Sequence, residues 1–141
     1  MAQEELKKKI IEFAGTYAYS NLITIDADGL PKGRMMENNP VGDDLLFYYA
    51  TGAQSNKVQE IRNNPNASAF YYRPSDHSSI SVQGIAEIVT DETVRQEKWK
   101  DKWSAYWKQG PSDPAYTLIR IVPGKITYLD YASHSQEVLE I

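Results

Sequence analysis

The sequence predicts a mainly β protein with a few helices, built on an antiparallel sheet of about six strands that closes on itself. Three observations carry that expectation. Leu22 to Ala27 and Ile80 to Ile88 alternate apolar and polar residues with the period of a half-buried strand. The strand-like stretches are joined mostly by short turns rich in Gly, Pro, Asp and Asn, which favours antiparallel neighbours. Gly84 interrupts the longest stretch, and a glycine inside a strand marks a bulge, a bend or a close approach, the devices by which sheets curl toward barrels.

Glu4 to Phe13 predicts a helix. Leu6, Ile10, Ile11 and Phe13 make its apolar face, Glu4, Glu5, Lys7, Lys8 and Lys9 its wet one, and Gly15 ends it. Its expected role is to cover a sheet edge. Tyr19 to Asp26 is a strand, Asp28-Gly29 a hairpin turn, and Pro31 to Asn38 the returning strand. Arg34 lies inside that strand and needs a partner, because its charge is costly to bury alone; Glu37 offers a surface one. After the turn Pro40 to Asp44 come a strand, Leu45 to Ala50, and a helix from Ser55 to about Asn63, stopped by Asn64-Pro65.

Ala67 to Tyr72 is a strand, Arg73 to His77 a loop, and Ser79 to Val89 the long strand that carries Gly84. Thr90-Asp91-Glu92 opens a helical stretch to about Lys108, with a break near Asp101. Trp99, Trp103 and Trp107 recur every four residues and so share a face, which suits core packing, a dimer contact or a lid over a flat ligand. Tyr116 to Val122 and Lys125 to Tyr131 are strands with a Pro123-Gly124 turn between them. Ser133 to Gln136 resembles a capping box opening a short C-terminal helical turn.

Composition narrows the function. A chain of 141 residues and 16.0 kDa fits one domain, residues 1–141. With no cysteine there are no disulfides and no thiol catalysis, and a cytoplasmic location is expected. A net charge of -4 and a pI near 5.2 argue against nucleic acid as a partner. No run reaches the roughly 18 apolar residues of a membrane span, so no membrane partner is expected, and the N-terminal run lacks the apolar core of a signal peptide. His77 and His134 have no metal-like spacing and read as solvated loop residues, so no metal is expected. Adjacent acids such as Asp43-Asp44 point in different directions and support no paired-acid mechanism. No catalytic residue is assignable.

The chemistry-bearing stretch is Ala50-Thr51-Gly52-Ala53-Gln54-Ser55-Asn56-Lys57-Val58. A strand runs into it and a helix leaves it, so hydroxyls, free backbone N–H groups and a lysine meet at a helix N-terminus, a ready place for a phosphate. Ser55 suits the N-cap. Lys57 opposes the helix dipole, a mismatch a bound anion would relieve. The plainer alternative is an ordinary capped helix with a solvated lysine.

The order and spacing of several segments resemble the pyridoxamine 5'-phosphate oxidase-like family, and within it the small general stress proteins. The segments are Asp28 to Met36, Tyr48 to Thr51 with Ser55-Asn56-Lys57, Asn64-Pro65, Val82 to Glu87 and Ile121 to Ile126. The resemblance spans about Glu4 to Asp130 and implies a six-stranded antiparallel split β-barrel with FMN at the interface of a homodimer. It implies that Arg34, Thr51, Ser55 and Lys57 meet the FMN phosphate, that Met35 and Met36 run along the isoalloxazine ring, and that Tyr49 and Ser79 belong to the cofactor site. The chain departs from the oxidase at Asn56, at Asn38 or Asn39, near Leu129 and in the segment Ser133 to Ile141, which argues against true pyridoxamine-phosphate oxidase activity. The implied function is a flavin-dependent oxidoreductase acting on a small molecule. The alternatives are a non-enzymatic FMN carrier or sensor in a stress response, and a dimeric scaffold whose cofactor site has decayed.

Overall fold

The hairpin predicted around Asp28-Gly29 is present in the computed structural model, which describes every residue from Met1 to Ile141. Strands β1 (Tyr19–Ile25) and β2 (Pro31–Glu37) pair along their whole length. The Asp26 carboxylate accepts the backbone N–H groups of Asp28 and Leu30, each at 2.9 Å. Gly29 takes a φ of 79°, a region open to glycine without strain. Helix α1 (Gln3–Thr16) precedes the hairpin. Strand β3 (Phe47–Gly52), helix α2 (Asn56–Asn63), β4 (Asn66–Arg73), β5 (Ser78–Val89), helix α3 (Glu92–Lys98), β6 (Tyr116–Asp130) and β7 (Ser135–Glu140) follow.

All pairings are antiparallel, and the strand order is β2-β1-β4-β5-β6-β3, with β7 also on β6. β2 and β3 are thus the two ends of the sheet. The curl of the sheet brings them into contact although they share no ladder, and that seam is the split in the barrel. The main core lies inside the curl, where Leu22, Phe47, Tyr71, Ile80, Val82 and Ile126 meet Leu6, Ile10 and Phe13 of α1. α1 packs beside β7, in keeping with a helix that covers a sheet edge. A second, smaller core of Tyr48, Val89, Trp103, Tyr116 and Leu118 sits on the other face of β3 and β6.

Three local expectations are corrected. The strands number seven, because Ser135–Glu140 is a strand and not a helical turn: Leu139 enters the core and the segment completes a ladder with Lys125–Asp130. The Ser-rich pattern at Ser133 belongs to the hairpin turn that leads into it. Pro123-Gly124 is not a turn, since β6 runs through both residues. The β5–β6 register shifts between Gln83 and Gly84, and a bulge tolerates a proline that has no N–H to give. The stretch predicted as one helix to Lys108 ends at Lys98, and two 3-10 turns, Asp101–Ala105 and Gly110–Ser112, follow. The tryptophans therefore lie on no common helix face, yet their rings still converge, with centroids 5.8 Å (Trp99–Trp103) and 6.1 Å (Trp103–Trp107) apart. The histidines are exposed loop residues as expected, with His77 hydrogen-bonded to the Tyr72 hydroxyl and both rings against that of Tyr131.

Gly84 is required by close approach. A Cβ there would sit 2.1 Å from the Val122 carbonyl oxygen and 2.7 Å from Pro123 Cα, both backbone atoms that cannot swing aside. Gly84→Ala is expected to cost about 2–3 kcal/mol, the upper part of the range for overpacking. Urea unfolding reads this as a lower midpoint with an unchanged slope; a midpoint equal to that of the parent protein would contradict the close contact.

Candidate functional site

The turn after β3 joins the strand to α2. Thr51 ends the strand, Ser55 occupies the N-cap position of α2, and Lys57 lies in the first turn. The Ser55 side chain makes no capping bond, whereas Asp91 caps α3 by accepting from Thr93 and Val94. Ser55 Oγ instead accepts from Thr51 Oγ1 at 3.3 Å, and Lys57 Nζ donates to Thr51 Oγ1 at 2.8 Å. The two hydroxyls and the ammonium form one chain of contacts.

Arg34 arrives from β2, on the other side of the split. Its Nη1 donates to Thr24 Oγ1 at 2.7 Å and to the Leu22 carbonyl at 3.2 Å, and its Nη2 donates to Glu60 Oε1 at 2.8 Å. Thr24 Oγ1 also donates to Glu60 Oε1, and Lys32 Nζ lies 3.8 Å from Glu60 Oε2. Glu60 and Lys57 are three residues apart on α2, so both face Arg34. Three cations thus surround one carboxylate. The Lys57 ammonium is held below the usual lysine range, by burial first and by the Arg34 charge second, with Glu60 offsetting part of this. Such excess positive charge, desolvated beside hydroxyl donors, is the physical signature of an anion site.

The structure brings Thr51, Ser55 and Lys57 into direct contact, whereas Arg34 hydrogen-bonds none of them and reaches Lys57 through its charge beside Glu60. Met35 and Met36 part company: Met35 is 64% exposed on the outer face of β2, while Met36 packs toward the main core. Tyr49 is not joined to the cradle. Its hydroxyl lies in the core, 2.6 Å from Ser20 Oγ and 3.4 Å from the Tyr71 hydroxyl. Burial, then the neighbouring Tyr71, raises that phenol well above its ordinary range, so it stays neutral and serves as no base. Ser79 lies in β5, separated from β2 by β4 and β1 and from β3 by β6. The expected pairing of Arg34 with Glu37 does not form, because residues an odd number apart on a strand face opposite ways. Glu37 accepts instead from Lys100, Lys102 and Trp103 Nε1. These bonds outweigh burial and leave its carboxyl below the ordinary range.

Sequence reasoning missed Thr24, Lys32 and Glu60. The signals were present. A hairpin centred on Asp28-Gly29 places Thr24 opposite Lys32 and Leu22 opposite Arg34, and Glu60 follows Lys57 by one helical turn.

Comparison with known proteins gives the family and the fold. The family model described as "Pyridoxamine 5'-phosphate oxidase like" matches residues 5–140. General stress protein 26 of Bacillus subtilis is 25% identical over 144 residues, covering 100% of both chains. The crystal structure of general stress protein 26 from Bacillus anthracis is 32% identical, covers 97% of this chain and 99% of its own, and superposes with a TM-score of 0.82. A pyridoxamine 5'-phosphate oxidase-related, FMN-binding protein from Nostoc punctiforme has a TM-score of 0.70 and covers 99% of this chain and 92% of its own. At 16% identity that last likeness is one of fold alone. With a family match over nearly its whole length, and with its strand order and edge-to-edge split, this chain belongs to the pyridoxamine 5'-phosphate oxidase-like family.

Proposed function

We propose that the chain binds FMN as a homodimer and works as a flavin-dependent oxidoreductase on a small molecule. The observation that carries this reading is the cradle, in which Lys57 donates to Thr51 beside Ser55 while the Arg34 charge, held on Glu60, acts on Lys57 from across the split. The donor set fits a phosphate monoester: a guanidinium, an ammonium and two hydroxyls, all hard donors at a helix N-terminus. Bound FMN supplies hydride or single-electron transfer. Met35 and Met36 would run along its ring, Met35 with its exposed side chain and Met36 with its backbone.

The outer face of the sheet supports a second copy as partner. Met35, Phe70, Tyr72, Ile85 and Val122 share that face by their cross-strand pairing, and each is at least 39% exposed. No helix is long and apolar enough to cross a membrane, and a cysteine-free chain supports a cytoplasmic location.

The purified protein is expected to be yellow, with flavin absorbance bands that bleach on anaerobic titration with NADPH or NADH. A colourless protein that takes up no added FMN would sink the reading. Full occupancy without reduction by either nucleotide would favour a carrier or sensor. A light-scattering mass near one 16.0 kDa chain at micromolar concentration would count against the dimer.

Affinity should follow pH on two limbs. A phosphate monoester loses its second proton near pH ~6, so FMN binding strengthens as pH rises through that value. Lys57 in the free protein titrates below the usual lysine value of 10.5, and a bound dianion draws its pKa back up. Binding then takes up a proton, so affinity falls as pH rises through the free-protein value and levels off above the bound one. Riboflavin, which has the ring without the phosphate, should show neither limb beyond the ionisation of the ring. Lys57→Met should erase the alkaline limb and leave the acid one; an alkaline limb that survives the substitution would remove Lys57 from the cradle.

A further inference from the structure

A second site straddles the same split from the other face. Arg34 and Glu37 are three residues apart on β2, and Thr51 and Ala50 are adjacent on β3, so Glu37 and Ala50 point away from the phosphate cradle. Between them, roofed by the 3-10 strap after α3, lies a cavity of about 400 Å³. Its walls are the rings of Tyr19, Trp103, Tyr106 and Trp107, with Ala50 at its base and the Glu37–Lys102 pair along one edge. Tyr19 and Tyr106 are 60% and 77% exposed and stand at the mouth. A volume near the low end of the ~300–1,000 Å³ range of ligand pockets suits one or two fused rings. Aromatic walls favour a flat guest, held by offset or edge-to-face contact.

The polar edge decides the charge of the guest. Glu37 Oε1 accepts from Lys100 Nζ at 3.3 Å and from Trp103 Nε1 at 3.2 Å, and its Oε2 accepts from Lys102 Nζ at 2.5 Å. Both oxygens are therefore engaged, and a cationic guest would have to displace a lysine. Lys100 is engaged as well, through Glu37, the Asn38 carbonyl at 3.1 Å and the face of Trp103. Lys102 has Glu37 as its one hydrogen-bond partner, and its side chain is 63% exposed. An ammonium has three donors, so two remain free to meet an anion at the mouth. Two lysines against one carboxylate leave the edge net positive.

We propose that this cavity binds a planar aromatic carboxylate of one or two rings, with the ring among Tyr19, Trp103, Tyr106 and Trp107 and the carboxylate on Lys102. The proposal does not rest on the flavin reading, because the cavity and the cradle use different residues on opposite faces of the two strands.

Two of the chain's three tryptophans, Trp103 and Trp107, wall the cavity and the third, Trp99, packs on both, so tryptophan emission responds to its occupancy. The test is titration of the full chain, with and without saturating FMN, using 2-naphthoate, its neutral isostere 2-naphthamide and the cation 2-naphthylmethylammonium, by calorimetry and by tryptophan emission. The naphthoate is expected to bind about tenfold more tightly than the amide, the effect of one charge-assisted hydrogen bond, and the cation more weakly still. Lys102→Ala, at an exposed side chain that does not hold the fold, should bring the naphthoate down to the level of the amide. Tyr106→Ala should weaken both, and Tyr131→Ala, at the far turn, neither. Equal affinity for the three probes, no binding of any, or full naphthoate affinity in Lys102→Ala would overturn the proposal. One-for-one displacement of naphthoate by FMN would overturn it too, since the cavity would then belong to the flavin ring. Naphthoate binding that survives in a protein that takes up no FMN supports the cavity while the flavin reading fails.

Discussion

Arg34→Ala should weaken FMN binding by about 10- to 100-fold and leave riboflavin binding nearly unchanged. A hydrogen bond to a charged group contributes about 1.5–3 kcal/mol, and that range converts to this span of affinity. Lys57→Ala should act in the same direction and on the same ligand. Arg34→Lys should be milder than Arg34→Ala, because a lysine keeps the charge and loses the planar fork. The comparison with riboflavin is essential, since Arg34 also has structural bonds. It ties Thr24, the Leu22 carbonyl and Glu60 together from a side chain only 19% exposed. Removing it loosens the split as well as the cradle, and a loosened split would weaken both flavins alike. Loss confined to FMN locates the phosphate; equal loss for both, or none for either, reduces Arg34 to an ion pair with Glu60. Unfolding of the free variants by urea separates the two effects independently of any ligand.

The parts of this molecule that could be read from sequence are those fixed by local chemistry. The Asp28-Gly29 hairpin, the alternating strands and the close approach at Gly84 each depend on a few residues whose conformational options are narrow. The cradle residues Thr51, Ser55 and Lys57 were legible for the same reason, because one turn contains them all. Failures came where a distant partner decides the outcome. Pro123-Gly124 looks like a turn in isolation and is held extended by its ladder with β5, with Gly124 as the extra residue of a bulge in β6. Ser135–Glu140 has little strand character of its own and is recruited by the free side of β6. The tryptophans repeat with helical spacing, yet the chain leaves the helix at Trp99 because Tyr116, from β6, offers rings to pack on: its centroid is 5.2 Å from that of Trp99 and 5.3 Å from that of Trp107. Arg34 shows the limit most clearly. Its need for a partner was evident, but its choice of Glu60 over Glu37 depends on which face of β2 it occupies and on where α2 crosses the split.

Glu60→Gln should change stability and affinity in opposite directions. Glu60 is 11% exposed and is the one carboxylate shared by Arg34, Lys32 and Thr24. Glutamine keeps an oxygen for the Thr24 hydroxyl and for Arg34 but removes the charge that the cations face. Breaking a fully buried ion pair costs about 3–5 kcal/mol; this pair retains some solvent, so the free protein should lose about 1–3 kcal/mol, seen as a lower urea midpoint. A phosphate on Arg34 would share that guanidinium with the Glu60 carboxylate. Two like charges about 4 Å apart repel by about 4 kcal/mol at an effective dielectric constant of 20. Weaker tethering of Arg34 and water at the site take back most of that relief. A remainder of about 1.4 kcal/mol makes FMN binding about tenfold tighter, and riboflavin should not respond. The free protein would thus be less stable and the FMN complex relatively more so, with a larger thermal shift on adding FMN than in the parent. Weaker FMN binding in Glu60→Gln would mean that the carboxylate aims Arg34 at the phosphate and does not compete with it. The two outcomes differ in sign, so a single pair of titrations distinguishes a carboxylate that stands in for the anion from one that orients its receptor.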